Sequence, residues 1–134
     1  IRLTQAKEAP NAIVWGEFDR SALVRLPIVA MTEEGRPVSP PTIEFRLPDG
    51  SAHPHLLLAG VAQAMVEAMG VADVKALLQR TSVVALKKGA GTPTPVPTRF
   101  LEVADALKAH RAALEAGGVF PPVLLDRLIE RLSA

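Results

Sequence analysis

The segment from residue 42 to residue 47, TIEFRL, alternates apolar and polar side chains from Ile43 onward. Successive side chains of a β-strand point to opposite faces, so this period of two predicts a strand rather than a helix. Glu44 and Arg46 are expected on one face of a sheet, and the apolar side chains are expected to be buried on the other. The apolar set comprises Ile43, Phe45 and Leu47. Residues 48–51, PDGS, have the composition of a turn that ends the strand.

Two upstream segments also have the composition of strands. Residues 12–15, AIVW, form a short apolar run, and residues 21–30 are rich in β-branched and aliphatic side chains. Residues 31–41 contain Gly35 and three prolines, which is typical of an exposed connection. We therefore predict three strands between about residues 12 and 47, paired as an antiparallel sheet.

A long apolar segment after the turn predicts a helix. Apolar residues recur at helical spacing from about His55 to Met69, and Pro54 suits the first helical turn. The segment is apolar almost all round, which predicts burial on several sides. It is too short, and carries too many polar side chains, to span a bilayer.

Two further helices are predicted near the end of the chain. The first covers residues 99–116, with Thr98 as its N-cap. The second begins at Pro121–Pro122 and has one apolar side. That side comprises Leu124, Leu125, Leu128, Ile129 and Leu132. Residues 71–86 leave helix and strand both open, and residues 87–97 are predicted to be a loop.

Strands followed by helices indicate an α+β fold. We predict one partial domain, with strands at about 12–47 and helices at about 55–134. The 15 basic and 14 acidic residues are mixed along the chain, so we expect no nucleic-acid partner. The absence of cysteine excludes disulfides and thiolate metal sites. With no segment suited to a bilayer, we expect a cytoplasmic protein without a membrane partner.

Three arginines and one glutamate are expected to meet on the charged face of the sheet. Arg25 lies within an apolar strand segment, Arg20 lies just before that segment, and Glu44 and Arg46 share a face of the next strand. Guanidinium groups match phosphates and carboxylates, and one carboxylate among them suits Mg²⁺ with phosphate oxygens. Without a metal, we expect Glu44 to pair with one arginine. From spacing alone, an ion-pair network on a solvated face is the simpler interpretation.

Four segments carry a specific ordered pattern. Residues 19–27, DRSALVRLP, resemble N-R-S-A-x-x-R-I-P, and residues 43–49, IEFRLPD, resemble I-E-x-R-x-P-D. Residues 51–62, SAHPHLLLAGVA, are similar to A-N-P-Y-L-x-x-A-A, and residues 100–120 are similar to S-L-x-E-A-L-x-x-L followed by A-G-G-V-F. These patterns are those of the glutamine synthetase family, and the resemblance extends over residues 11–132.

This resemblance implies the C-terminal part of a glutamine synthetase-like catalytic domain. The family ligates ammonia to glutamate through a γ-glutamyl phosphate, with ATP and Mg²⁺ or Mn²⁺. By motif position, the resemblance implies that Arg20 is catalytic and contacts the transferring phosphoryl region. It also implies that Arg20 and Arg25 bind nucleotide phosphates. Arg46 would bind the carboxylate of the substrate, and Glu44 would be a metal ligand.

The chain also departs from the family pattern. Thr42 stands where the family usually has a basic residue, and Asp19 stands where it has asparagine. The family's other metal-binding residues precede the part that this chain resembles, and two-metal sites need several ligands. We therefore expect the isolated chain to be inactive and to bind no cofactor alone. Its expected partners are other copies of itself or the N-terminal portion of the same enzyme.

Two alternatives to this hypothesis stay open. The first is a non-catalytic binding or scaffold protein derived from the same family. The second is a relative that ligates another amine to glutamate. The replacements at Asp19 and Thr42 favour lost or altered chemistry, whereas the retained arginines favour a site in use.

Overall fold

The computed structural model describes residues 9 to 134, which fall into two compact units. The sheet unit comprises described residues 9–47 and 73–96, and the helical unit comprises residues 48–72 and 97–134. In chain order the elements are β1 (Trp15–Glu17), β2 (Val24–Leu26), β3 (Glu44–Phe45), α1 (Pro54–Ala68), α2 (Val74–Thr81), α3 (Val83–Lys87), α4 (Phe100–Ala109), α5 (Arg111–Glu115), a 3-10 turn (Ala116–Gly118) and α6 (Pro122–Ser133). Within residues 9–134, three strands followed by six helices confirm the predicted α+β class.

The three strands form one mixed sheet in the order β1–β2–β3. β2 and β3 are antiparallel as predicted, with Val24 opposite Phe45 and Arg25 opposite Glu44. β1 and β2 are parallel, so the predicted antiparallel arrangement is wrong for this pair. Both strands have only three residues, so the short connection over residues 18–23 is long enough to return the chain to the start of β1.

The strands are shorter than predicted. The first predicted strand contributes only Trp15 to β1, while Ala12 forms an isolated antiparallel bridge with Pro95. Of the second predicted strand, residues 21–30, only β2 is part of the sheet. Pro27 directly follows β2 and has no backbone N–H to continue the ladder. The third is reduced to the two residues of β3. Their existence and order are as predicted, and their lengths are not.

The charged face of the predicted third strand is more buried than its apolar face, which is the reverse of the prediction. Ile43 is 72% exposed and Phe45 is 41% exposed, whereas Glu44 and Arg46 are half-buried. The predicted burial of the apolar face is therefore wrong for Ile43 and Phe45, whereas Leu47, the third member of that face, is half-buried. Glu44 and Arg46 pair with each other, and Arg46 also lies against the backbone of Ala22, whose carbonyl oxygen is 3.5 Å from Arg46 Nη1.

The core of the sheet unit is a small cluster of apolar side chains. It comprises Ala12, Val14, Ala22 and Val83, with Leu86 packed against it. Gly16 allows this packing, because a Cβ at that position would lie 3.0 Å from Asp19 Cβ and 3.3 Å from Val83 Cγ2. The absence of a side chain there lets both α3 and the connection after β1 approach the strand closely.

The segment that the sequence left open, residues 71–86, is mainly helical. The Asp73 carboxylate accepts a hydrogen bond from the backbone N–H of residue 76 at 2.8 Å, which caps the start of α2. Ser82, between α2 and α3, forms a parallel bridge with Trp15. The indole Nε1 of Trp15 also donates to the carbonyl oxygen of Leu78 at 2.7 Å. These contacts tie α2 and α3 to β1.

In the helical unit, α1 confirms the predicted helix but not its predicted burial. Pro54 occupies the first turn as expected. Gln63 is the one buried residue of α1, and its side-chain amide donates to the carbonyl oxygen of Ala113 at 2.7 Å. Met65 and Met69 are 67% and 86% exposed. Burial on several sides is therefore wrong for the described chain, because the packing of α1 on α5 leaves most of its apolar surface uncovered.

α4 and α6 provide the main packing of the helical unit. Val103 and Ala104 of α4 are buried, and Leu125 of α6 is only 1% exposed. The predicted apolar side of α6 is confirmed, since every member is buried or half-buried and the other residues of the helix are exposed. No helix within the described residues combines the length and apolarity needed to cross a membrane.

The helix predicted over residues 99–116 is divided into α4, α5 and a 3-10 turn. The division falls at His110, whose φ of −105° and ψ of 16° depart from helical values. The N-cap of α4 is Arg99 rather than the predicted Thr98. Glu102 accepts a hydrogen bond from the backbone N–H of Thr98 at 2.8 Å. That bond, followed by the one from the Arg99 side chain, lowers the pKa of Glu102 to about 2.

Candidate functional site

Glu44 lies between two arginines on one face of the sheet. Arg25 Nη2 is 2.8 Å from Glu44 Oε2, and Arg46 Nε is 3.2 Å from Glu44 Oε1. The strand register explains both contacts, because Arg25 lies directly opposite Glu44 and Arg46 lies two residues further along the strand. The prediction that the three side chains share a face is confirmed. The prediction that Glu44 pairs with a single arginine is wrong, because the register brings both within reach.

This Arg25–Glu44–Arg46 cluster is only partly open to solvent. The side chain of Arg46 is 12% exposed, that of Arg25 is 23% exposed and that of Glu44 is 41% exposed. Arg25 Nε is buried without a hydrogen-bond partner among the described residues. Leaving a buried donor unpaired costs free energy, so this N–H is suited to an acceptor from outside the chain.

Arg20 lies near Arg25, one of the arginines of this network. Together with Phe18, Arg25, Pro27 and Ile28 it lines a pocket of ≈ 320 Å³. Its lining includes two guanidinium groups and no carboxylate, and guanidinium groups are suited to binding anions. Phe18 has a φ of 58°, in the left-handed region that such residues rarely adopt. This conformation bends the chain at the edge of the pocket, two residues before Arg20.

The carboxylate of Asp19, beside Arg20, is fully engaged by neighbouring donors. Its Oδ1 accepts hydrogen bonds from the backbone N–H of Ser21 at 2.9 Å and from the Ser21 hydroxyl at 2.6 Å. Its Oδ2 accepts one from Lys87 Nζ at 3.1 Å. The bonds from Ser21, and then the one from Lys87, lower the pKa of Asp19 to about 2. Asp19 is therefore ionised at neutral pH, and Lys87 compensates its charge.

Lys87 is a residue that sequence reasoning does not connect with this site. It is separated from Asp19 by 68 positions and is the last residue of α3. Residues 87–97 were expected to form a loop, and no local pattern links them to the segment around Arg20. The signal that could have identified Lys87 is an acidic residue beside Arg20, because such a carboxylate needs a basic partner.

The described residues do not by themselves fit a complete metal site. Across residues 9–134, no group of three or more His, Asp or Glu side chains is placed to hold a metal ion. A magnesium site usually combines several oxygen ligands, and Glu44 supplies one carboxylate that two arginines already engage. Further ligands from outside the described residues would be needed.

A family model described as "Glutamine synthetase, catalytic domain" matches residues 1–130. The chain belongs to the glutamine synthetase family. A glutamine synthetase of Streptomyces viridochromogenes is 31% identical over 131 residues, which cover 96% of this chain and 27% of that protein. Those of Mycobacterium tuberculosis and Salmonella typhimurium are 29% and 30% identical over 129 residues, with 96% of this chain and 26% of each relative covered.

The family predicted from the sequence is thus confirmed, and the chain spans about a quarter of the length of these glutamine synthetases. The geometry brings Arg25, Glu44 and Arg46 together, and it places Arg20 in a pocket that Arg25 also lines. The individual roles of these residues in a glutamine synthetase reaction stay predictions.

Proposed function

We propose that this chain forms part of the active site of a glutamine synthetase-type ligase. The complete enzyme would use ATP to join ammonia to glutamate through a γ-glutamyl phosphate. The observation that supports this best is the Arg25–Glu44–Arg46 cluster, which adjoins the pocket lined by Arg20. Phosphoryl transfer depends mainly on positioned cations that stabilise developing negative charge, and these side chains provide such cations.

Arg20 and Arg25 are the proposed phosphate-binding residues, and Arg20 is the proposed catalytic residue. Both line the same pocket, and the buried Nε of Arg25 is a donor without a partner among the described residues. An entering phosphate oxygen would satisfy that donor and gain a charge-assisted hydrogen bond. In the transition state, Arg20 would neutralise charge on the transferring phosphoryl group.

Arg46 is the proposed residue that binds the carboxylate of glutamate. Its side chain is 12% exposed and is held by Glu44 and by the carbonyl oxygen of Ala22, so its orientation is largely fixed before substrate binds. Glu44 is proposed as one ligand of a Mg²⁺ or Mn²⁺ site that is completed outside the described residues. The metal would accompany ATP in the complete enzyme, and we propose that the isolated chain is inactive.

The partner that we propose is either the N-terminal portion of the same enzyme or another copy of it. In the sheet unit, Ile43 and Phe45 expose the apolar face of β3. In the helical unit, Leu58 and Met65 of α1 and Met69, which directly follows α1, are each more than 60% exposed. Large apolar side chains in contiguous positions mark surfaces that other polypeptide covers. The mixed charge of the chain gives no support to a nucleic-acid partner.

A second candidate is a non-catalytic binding or scaffold protein of the same family. Two observations favour it: Thr42 removes a basic residue that the family pattern carries, and Asp19 pairs with Lys87 in place of the pattern's uncharged asparagine. Such a protein would keep anion binding at Arg20 and Arg25 and lose turnover. Activity and anion binding must therefore be measured on the same material.

The test is a chimera in which this chain replaces the matching segment of the Streptomyces viridochromogenes glutamine synthetase. We expect phosphate release with glutamate, ammonia, ATP and Mg²⁺ from the chimera and none from the isolated chain. Arg46→Ala should raise the KM for glutamate by roughly 10-fold or more, because a charge-assisted pair is lost. Arg36→Ala, in the exposed connection before β3, is the matched control and should leave the KM unchanged.

Assembly of the chimera is checked by light scattering before its activity is compared. An assembled chimera that binds phosphate without turnover would favour the non-catalytic candidate. Turnover by the isolated chain that Glu44→Ala abolishes would overturn the proposal that other polypeptide is required.

A further inference from the structure

Arg20 lies inside a small turn that Asp19 closes. Oδ1 of Asp19 accepts hydrogen bonds from both the backbone N–H and the side-chain hydroxyl of Ser21. These two bonds connect the residues on either side of Arg20. Asparagine, which the family pattern has at this position, can form the same turn because its side-chain oxygen accepts the same bonds. The replacement therefore keeps the turn and adds a negative charge beside Arg20.

Lys87 connects this turn to α3. Its Nζ is 3.1 Å from Asp19 Oδ2, the oxygen that Ser21 does not use. α3 itself is anchored on β1, since Val83 is buried in the core next to Gly16. A lysine at the end of an anchored helix therefore contacts the carboxylate of the residue that directly precedes the proposed catalytic arginine.

We propose that Lys87 is a positioning residue for anion binding at Arg20, and that it acts by engaging Asp19. This inference rests on the proposed phosphate-binding role of Arg20. Without Lys87, the Asp19 carboxylate would repel an incoming phosphate and attract the Arg20 guanidinium toward itself. With Lys87 in place, the charge of Asp19 is compensated and its Oδ2 is engaged by the lysine.

The size of the effect follows from the exposure of the pair. The side chain of Lys87 is 72% exposed and that of Asp19 is 22% exposed, so solvent screens much of their attraction. The pKa of Asp19, lowered to about 2, keeps its carboxylate charged through the neutral range, so compensation is required there. We expect loss of Lys87 to weaken phosphate binding roughly two- to five-fold, the range of exposed ion pairs.

The experiment is a double-mutant cycle on the 134-residue chain, with inorganic phosphate as the probe. Binding is followed by NMR shifts of the amides around Ser21 for wild type, Lys87→Met, Asp19→Asn and the double variant. Lys87→Met should weaken binding when Asp19 is present and should have no effect together with Asp19→Asn. Lys87→Arg should restore binding, because it keeps the charge.

Lys88→Met is the matched control, since it removes one positive charge at the adjacent position. It should change phosphate affinity less than Lys87→Met does. If the two variants weaken binding equally, or if Lys87→Met has the same effect with and without Asp19→Asn, the inference is overturned while the phosphate site stands. If wild type shows no binding at Ser21, the proposed function fails and the inference fails with it.

Discussion

The sheet unit pairs its charged site residues within the chain, whereas the helical unit leaves large apolar side chains exposed. In the sheet unit, Glu44 has two arginine partners, and Asp19 has both Ser21 and Lys87. In the helical unit, α1 buries only its glutamine and exposes large apolar side chains along most of its length. The carboxylates of Glu44 and Asp19 are thus paired within the sheet unit, whereas apolar surface of α1 lacks comparable cover among the described residues.

The ion pairs and the apolar surface therefore differ in how far they need other polypeptide. Ion pairs set by strand register form as soon as β2 and β3 are paired, so the arginine cluster can exist in the isolated chain. Apolar surface contributes to stability only when it is removed from water. We therefore expect the Arg25–Glu44–Arg46 cluster to form in the isolated chain, and we expect the apolar surface of α1 to stay exposed unless other polypeptide covers it.

The largest expected effect compares buried and exposed apolar residues of the helical unit. Leu125 of α6 is 1% exposed, and Met65 of α1 is 67% exposed. Leu125→Ala should lower the free energy of unfolding by about 2–5 kcal/mol, because it leaves a cavity in the core. Met65→Ala should change it by less than about 0.5 kcal/mol in the isolated chain at concentrations below those at which the chain associates. Chemical denaturation measures both, and equal losses would show that α1 is already covered.

An intermediate effect concerns association through α1. Met65 and Met69 lie on an exposed apolar surface, so we expect the isolated chain to form a dimer or larger assembly at micromolar concentration. Replacing both by lysine should shift the association midpoint by at least roughly 10-fold in concentration, since burial of a methionine contributes about 1.5–3 kcal/mol. Light scattering over a dilution series measures this shift.

Lys75→Met, in α2 of the sheet unit, is the control for a general response to charge and apolarity. It should leave the midpoint near that of wild type. A wild-type chain that stays monomeric across the series would contradict the proposed role of α1 as a covered surface.

The sequence predicts the site better than it predicts burial, for a physical reason. The alternation over residues 42–47 sets the face of Glu44 and Arg46, and hairpin-like pairing with the preceding strand segment then brings Arg25 opposite Glu44. Burial of Ile43 depends instead on what covers that face, which alternation does not specify. The same limit applies to α1, whose apolar composition predicts a covered helix without saying which polypeptide covers it.

Long-range features could not be predicted from local patterns. Parallel pairing of β1 with β2 depends on a short returning connection that begins near Phe18, whose left-handed conformation has no marker such as glycine. The contact between Lys87 and Asp19 joins positions 68 residues apart. Neither hydrophobic periodicity nor turn composition carries such information, because both describe only neighbours along the chain.

The smallest expected effect compares one carboxylate from each unit as the pH falls. The pKa values of Asp19 and Glu102 are both lowered to about 2, in each case mainly by hydrogen bonds from neighbouring residues. A folded-state pKa below the unfolded value means that the carboxylate stabilises the fold above the unfolded pKa. That stabilisation is lost as the pH falls from about 4 toward about 2.

Asp19→Asn and Glu102→Gln test this in the two units separately. Replacing Asp19 should cost about 1 kcal/mol or less at pH 7, because asparagine can accept the same hydrogen bonds from Ser21 and solvent screens the pair with Lys87. The difference between wild type and Asp19→Asn should shrink as the pH falls and vanish near the folded-state pKa. Glu102→Gln should show the same direction in the same window. Urea midpoints between pH 2 and pH 7 measure both.

The outcome that would contradict this prediction is a difference between wild type and Asp19→Asn that persists unchanged at the lowest pH. In that case the turn geometry, and not the carboxylate charge, would carry the stabilisation, because asparagine would be the poorer hydrogen-bond acceptor for Ser21.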